Sequence, residues 1–174
     1  RNAATGSGSS CRCVGASLQG TTVCGYGLVA PFRGGAVGEA EGEKIILAAE
    51  RATRRRLPLL AYVHGTAGIR IQEGVNGVIQ MPRCTMAVRR YIDDGGLYVV
   101  LYDPNSYAGP VASFLGCCPY PFGIRSSTVG FAGPGVLQET TGQAPPPHYP
   151  SLYKALAPGL IQRLWARRAT TATR

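Results

Sequence analysis

Six cysteines and two histidines are the residues of this 174-residue chain whose types could support metal, redox or acid–base chemistry. The cysteines are Cys11, Cys13, Cys24, Cys84, Cys117 and Cys118, one Cys-x-Cys and one Cys-Cys among them. A zinc ribbon needs two Cys-x-x-Cys pairs, and a disulfide scaffold needs cysteine at roughly 8–10% of the chain or more. Neither pattern is present, so no metal site is expected and the thiols read as reduced and mostly buried. His64 stands beside a glycine turn, where it could act as a base, but its reading is structural. His148, next to a Pro-Pro-Pro run, reads as exposed. No Ser-His-Asp arrangement, P-loop or carboxylate pair is present.

Glycines between apolar runs and helical starts carry more information. They occur in FRGGAVGEAEGEK (32–44), HGTAGIR (64–70), DPNSYAGPVASF (103–114) and STVGFAGPGVLQE (127–139). Glycine there permits a tight turn or a close approach by another backbone. A helix opening after such a turn adds partial positive charge at its N-terminus.

These turns need elements to hold them. Residues 14–32 read as a hairpin of two short strands. The next helix has Glu39, Glu41 and Glu43 early and Arg51, Arg54, Arg55 and Arg56 late, matching the helix dipole. Leu57 to Val63 is a continuous apolar run, expected as a strand buried on both faces. One longer helix is expected from about Ile71 to Ile92, and 97–102 (LYVVLY) is a second buried strand. Strand, glycine turn, helix and strand form a β-α-β crossover with parallel strands. The layout is α/β in a single domain at 14–168. Residues 1–13 are expected to be frayed and 169–174 to be a tail.

Twenty-four glycines and 13 prolines exclude a helical bundle or coiled coil. Charged residues are only 16% of the chain, against a usual share of about 25%, which suggests surface covered by a partner. The net charge of +9 favours anionic partners. No aromatic–basic platform or zinc module supports nucleic acid, which ranks last. No uninterrupted apolar stretch of about 20 residues predicts a membrane span, and residues 1–10 lack the apolar centre of a secretion signal.

FRGGAVGEAEGEK, AGIRIQEG with the downstream VIQMPR, and VGFAGPGVLQET together resemble the carboxyltransferase family of acyl-CoA carboxylases, its β-type half in particular. Order and spacing agree over about residues 15–165. The resemblance implies the crotonase fold of repeated β-β-α units. It also implies transfer of a carboxyl group from carboxybiotin to acetyl-CoA, giving malonyl-CoA for fatty-acid synthesis. The expected partners are an α-type carboxyltransferase subunit, a biotin carboxyl carrier protein, biotin carboxylase and the acyl-CoA itself. No covalently bound cofactor is expected. The compartment implied is bacterial cytoplasm or plastid stroma.

Removing a proton beside a thioester puts negative charge on its oxygen, which two fixed N–H donors stabilise. The resemblance places Ala67 and Gly68 where the family has a Gly-Gly pair contributing such donors. Ala108 and Gly109 match a second Gly-Gly, followed here by Pro110, which has no N–H. Gly34, Gly35 and Gly38 are expected to admit a CoA chain or a neighbouring backbone, with Arg33 beside them for a CoA phosphate. Arg70, Gln72 and Glu73 are expected to brace the loop or a subunit contact. Cys117-Cys118 and Gln162 depart from the family pattern. A catalytically impaired paralogue serving as a structural or regulatory subunit is the alternative reading.

Overall fold

The computed structural model describes residues 8–103, 105–124, 127–146, 149 and 162–165. Strands β1 (Cys11–Leu18) and β2 (Thr21–Val29) form the expected antiparallel hairpin, turned at Gln19-Gly20. Helix α1 (Glu39–Arg55) crosses to β3 (Leu59–His64), and α3 (Gln80–Asp93) leads to β4 (Tyr98–Tyr102). Between these helices lies a one-turn α2 (Val75–Val78). After β4 come β5 (Asn105–Tyr107), α4 (Gly109–Ala112), β6 (Tyr120–Ile124), β7 (Thr128–Gly130), α5 (Pro134–Thr141) and β8 (Arg163–Trp165). The main sheet runs β1-β2-β3-β4-β6-β8, parallel from β2 onward, and β5 pairs with β7 in a small second sheet. The successions β1-β2-α1 and β6-β7-α5 are β-β-α units.

Period-two alternation decides which face is buried. Cys24, Leu59 and Tyr98 share one register, as do Tyr26, Ala61 and Val100, and Leu28, Val63 and Tyr102. All nine are buried on one face. There Cys24 Sγ donates to Ala48 O of α1 at 3.4 Å, and Tyr26 and Tyr98 join their hydroxyls at 2.6 Å. Ile45, Ala48, Ala49 and Ala52 give α1 a low-profile stripe that packs closely on β2 and on α3.

Three expectations are corrected. Ordered structure begins before residue 14: Cys11–Cys13 lie in β1, and Ser9 and Ser10 are buried because they bind α1. The strand at 57–63 starts at Leu59 and alternates buried with half-buried residues, because α1 and α3 cover only one face. The helix expected over 71–92 is broken into a 3₁₀ turn (Ile71–Glu73), α2 and α3. Gly74, at φ +56° and ψ −134°, cannot continue a helix. All six cysteines are free thiols: Cys11, Cys24, Cys84 and Cys118 are buried, Cys117 is half-buried and Cys13 is exposed. His148, the expected tail at 169–174 and residues 1–7 of the expected frayed terminus lie outside the described residues.

Candidate functional site

In an open parallel sheet, ligands bind beyond the carboxyl ends of the strands. There the loops after β2, β3 and β4 meet. Thr66 N–H donates to Asn105 O at 3.0 Å, and Tyr107 N–H returns a bond to Thr66 O at 3.0 Å. Thr66 Oγ1 donates to Gly35 O at 2.9 Å, and Val37 N–H donates to Gly68 O at 2.9 Å. Gly35 has φ +74°, and a Cβ on it would collide with the Gly65 carbonyl. The predicted Gly34, Gly35, Ala67, Gly68, Ala108 and Gly109 are thus brought into one locus. Gly68 packs so near Ala108 that a Cβ added to it would lie 3.0 Å from the Ala108 methyl.

The amides differ in what they are free to do. Ala67 does not have a positive φ, so alanine is tolerated there, but its N–H donates to Gly34 O at 2.9 Å. That corrects the expectation that Ala67 supplies a donor. Gly68, at φ +116°, holds its N–H only loosely against Thr66 Oγ1 at 3.3 Å. Ala108 N–H is engaged by Phe131 O at 2.8 Å. The N–H of Gly109 opens α4, a position with no partner inside the helix. Ala108 itself sits at φ +63° and ψ −145°, a region that suits glycine.

The loop after β3 is clamped by an ion network. Arg70 is buried and binds Glu41 at 2.9 Å and Glu73 at 2.6 Å, and it donates to Ala36 O at 3.2 Å. Glu41 also accepts from Ser9 Oγ at 2.8 Å, Ser10 N–H at 3.1 Å and Gly38 N–H at 3.0 Å. Burial pushes the Glu41 carboxyl up, but Arg70, Ser9 and the two amides outweigh it and hold it below its ordinary value. The Glu39 amide, at 2.7 Å, together with Arg70 likewise lowers Glu73. Arg70 and Glu73 therefore brace the loop as expected, and Gln72 is exposed. Sequence reasoning missed Glu41 as the third member. Its signal was the glycine at 38 followed by a glutamate three residues on, a capping-box spacing.

Gly38 caps α1, and a Cβ there would strike the Glu73 carboxylate. Arg33 is exposed and stacks 5.8 Å over the Phe32 ring. His64 is exposed too; its Nδ1 lies 3.1 Å from Asp103 O, and its ring stacks on Tyr62. Among the described residues no group of three or more histidines, cysteines and carboxylates is placed to hold a metal ion. A cleft of about 610 Å³, lined in part by Arg56, Leu57 and Tyr91, lies at the opposite end of β3 and β4 and touches no predicted site residue.

Comparison with solved structures identifies the fold. The Pseudomonas malonate decarboxylase MdcD-MdcE hetero-dimer matches with TM-score 0.76 at 23% identity, over 91% of this chain and 71% of that one. The transcarboxylase 12S structure matches with TM-score 0.76 at 18% identity, over 90% of this chain and 30% of that one. The fold is that of the crotonase-type carboxyltransferases. No family model matches the chain.

In sequence the chain is similar to the acetyl-coenzyme A carboxylase carboxyl transferase β subunits. It is 34% identical to that of Synechococcus sp. (strain JA-3-3Ab) over 152 residues, 87% of this chain and 48% of the relative. It is 30% identical to subunit beta 2 of Lachnospira eligens over 160 residues, 92% of this chain and 62% of the relative. The chain spans about half the length of the curated relatives it matches.

Proposed function

We propose that the chain is the β-type half of a biotin-dependent carboxyltransferase that converts acetyl-CoA to malonyl-CoA for fatty-acid synthesis. The observation that carries this reading is the junction of three glycine loops at the strand ends, in a chain homologous to subunits of that name. The Gly68 and Gly109 amides supply the two donors to the thioester oxygen, replacing the Ala67–Gly68 pair expected from sequence. Positive backbone dipoles at this point stabilise the enolate as the α-proton leaves. The other loop glycines, Gly34, Gly35 and Gly38, let the neighbouring loops close on them rather than leaving space for a CoA arm, since a Cβ on each would meet Ala67, Gly65 or Glu73. Arg33 is exposed beside them, where it suits a CoA phosphate.

Carboxybiotin, on a separate carrier, supplies the carboxyl group, and an α-type subunit completes the site. Biotin carboxylase recharges the carrier. The setting that suits these partners is bacterial cytoplasm or plastid stroma, and no described helix is long and apolar enough to cross a membrane. The test is malonyl-CoA formation by the full chain co-expressed with a matched α-type subunit and supplied with a carboxylated carrier. Turnover that needs all three supports the reading. A stable complex that binds acetyl-CoA but never carboxylates it overturns it.

A further inference from the structure

Strand β1 is the outermost strand of the main sheet among the described residues, and its outer edge is open. Its register with β2 runs without a bulge from Cys11–Leu28 to Leu18–Thr21, and Val29 N–H donates to Ser10 O at 2.8 Å. Hydrogen-bonded pairs alternate along an antiparallel ladder, so Arg12, Val14, Ala16 and Leu18 turn their amides and carbonyls toward β2. Those of Cys11, Cys13, Gly15 and Ser17 turn outward. Cys11 is already engaged: its N–H donates to Ser9 Oγ at 3.2 Å, and its carbonyl accepts from Lys44 Nζ at 3.1 Å. Among the described residues nothing bonds the outward backbone groups of Cys13, Gly15 and Ser17, and all three residues are exposed. From Cys13 to Leu18 the strand carries no charge, proline or bulge, the devices that usually blunt an edge.

The two faces beside this edge differ in charge. Cys13 Sγ donates to Lys44 O at 3.3 Å, so Cys11, Cys13, Gly15 and Ser17 face α1. Cys24 lies opposite Gly15 and donates to Ala48 O, so the middle of α1 stands level with Gly15. Spacings of three and four place Lys44, Leu47, Arg51 and Arg55 along one flank of α1, and the Lys44 contact fixes that flank above the edge. Lys44, Arg51 and Arg55 form no ion pair among the described residues. On the opposite face Val14 and Leu18 are 54% and 52% exposed. We propose that this edge takes up an extended acidic segment of a partner protein as an added strand. Its carboxylates alternate toward Lys44, Arg51 and Arg55, and its apolar side chains toward Val14 and Leu18. A second copy of β1 fits less well: paired antiparallel about Gly15, it brings Arg51 of one copy level with Lys44 of the other, like charge against like. This inference does not depend on the carboxyl-transfer reading.

The experiment titrates the full chain into a fluorescein-labelled octapeptide of alternating valine and glutamate at low ionic strength and reads its anisotropy. A second octapeptide carries lysine in place of each glutamate. The glutamate peptide should bind at least about tenfold tighter than the lysine one, and added salt should weaken it. Amide hydrogen exchange at Cys13, Gly15 and Ser17 should slow several-fold when it is bound. Arg51→Glu, at an exposed position, should fold normally and weaken binding about fivefold. Gly15→Pro removes an outward N–H at an edge, where proline is tolerated, and should cost at least about tenfold. If that variant fails to fold, Arg51→Glu and the two peptides still decide. Absent binding, or equal binding of the two peptides, overturns the proposal, and protection centred on other amides overturns the site. Protection of Cys13, Gly15 and Ser17 that rises with protein concentration in the peptide's absence assigns the edge to a second copy and overturns the acidic occupant.

Discussion

Gly68 and Ala108 form one steric unit, because each has a positive φ and a Cβ on Gly68 would lie only 3.0 Å from that of Ala108. Gly68→Pro removes an N–H and cannot adopt a φ of +116°, so it should lower turnover of the complete carboxyltransferase by at least about 10²–10³-fold through loss of the donor and distortion of the loop together. Unchanged turnover would remove Gly68 from the site. Gly68→Ala keeps the donor but meets both a φ of +116° and the Ala108 methyl at 3.0 Å. It should destabilise the chain by about 1–3 kcal/mol. Ala108→Gly relieves strain in the opposite sense, gaining up to about 1 kcal/mol. The double variant should recover part of the Gly68→Ala loss, because the methyl collision is then gone. Urea unfolding of the four proteins checks this, and strictly additive changes would refute the coupling.

At the scale of elements, the Arg70 clamp joins α1, the loop after β3 and the residues ahead of β1. Arg70→Met leaves Glu41 buried without its cation, a change that typically costs about 3–5 kcal/mol. Both Glu41 and Glu73 have carboxyl pKa values lowered by folding. The clamp's contribution is therefore present at neutral pH and is lost as pH falls through the carboxylate range, where the unfolded chain takes up protons first. Glu41→Gln should flatten the acid limb of the stability curve; a limb of unchanged steepness would assign the acid sensitivity elsewhere. The order of strands and helices was legible because apolar runs, glycine turns and the acid-to-base polarity of α1 are local signals. The clamp was not, since Glu41 and Arg70 meet only after the chain crosses from α1 through β3. The break at Gly74 was also hidden: the apolar spacing of Ile71, Val75, Val78 and Ile79 mimics one helix, although these side chains face outward.

At the scale of the whole molecule, that outward row explains the low share of charge. Ile71, Val75, Val78 and Ile79 are 77%, 74%, 48% and 47% exposed, and all follow directly on the clamped loop. Contiguous exposed apolar side chains rimmed by polar ones mark an interaction surface. Their position beside the loop junction suits the α-type partner proposed above, because a partner seated there would exclude water from the thioester site. Burying each side chain contributes about 1.5–3 kcal/mol, so Ile71→Asp with Val75→Asp should weaken association about 10²-fold or more. Neither residue packs in the core, so the monomer's unfolding midpoint should scarcely change. Without its partner the wild-type chain should self-associate at micromolar concentration, and the double variant should remain monomeric. Sedimentation of both chains, alone and with the α-type subunit, separates the outcomes. Equal partner affinity in the two would place the interface on another face of the molecule.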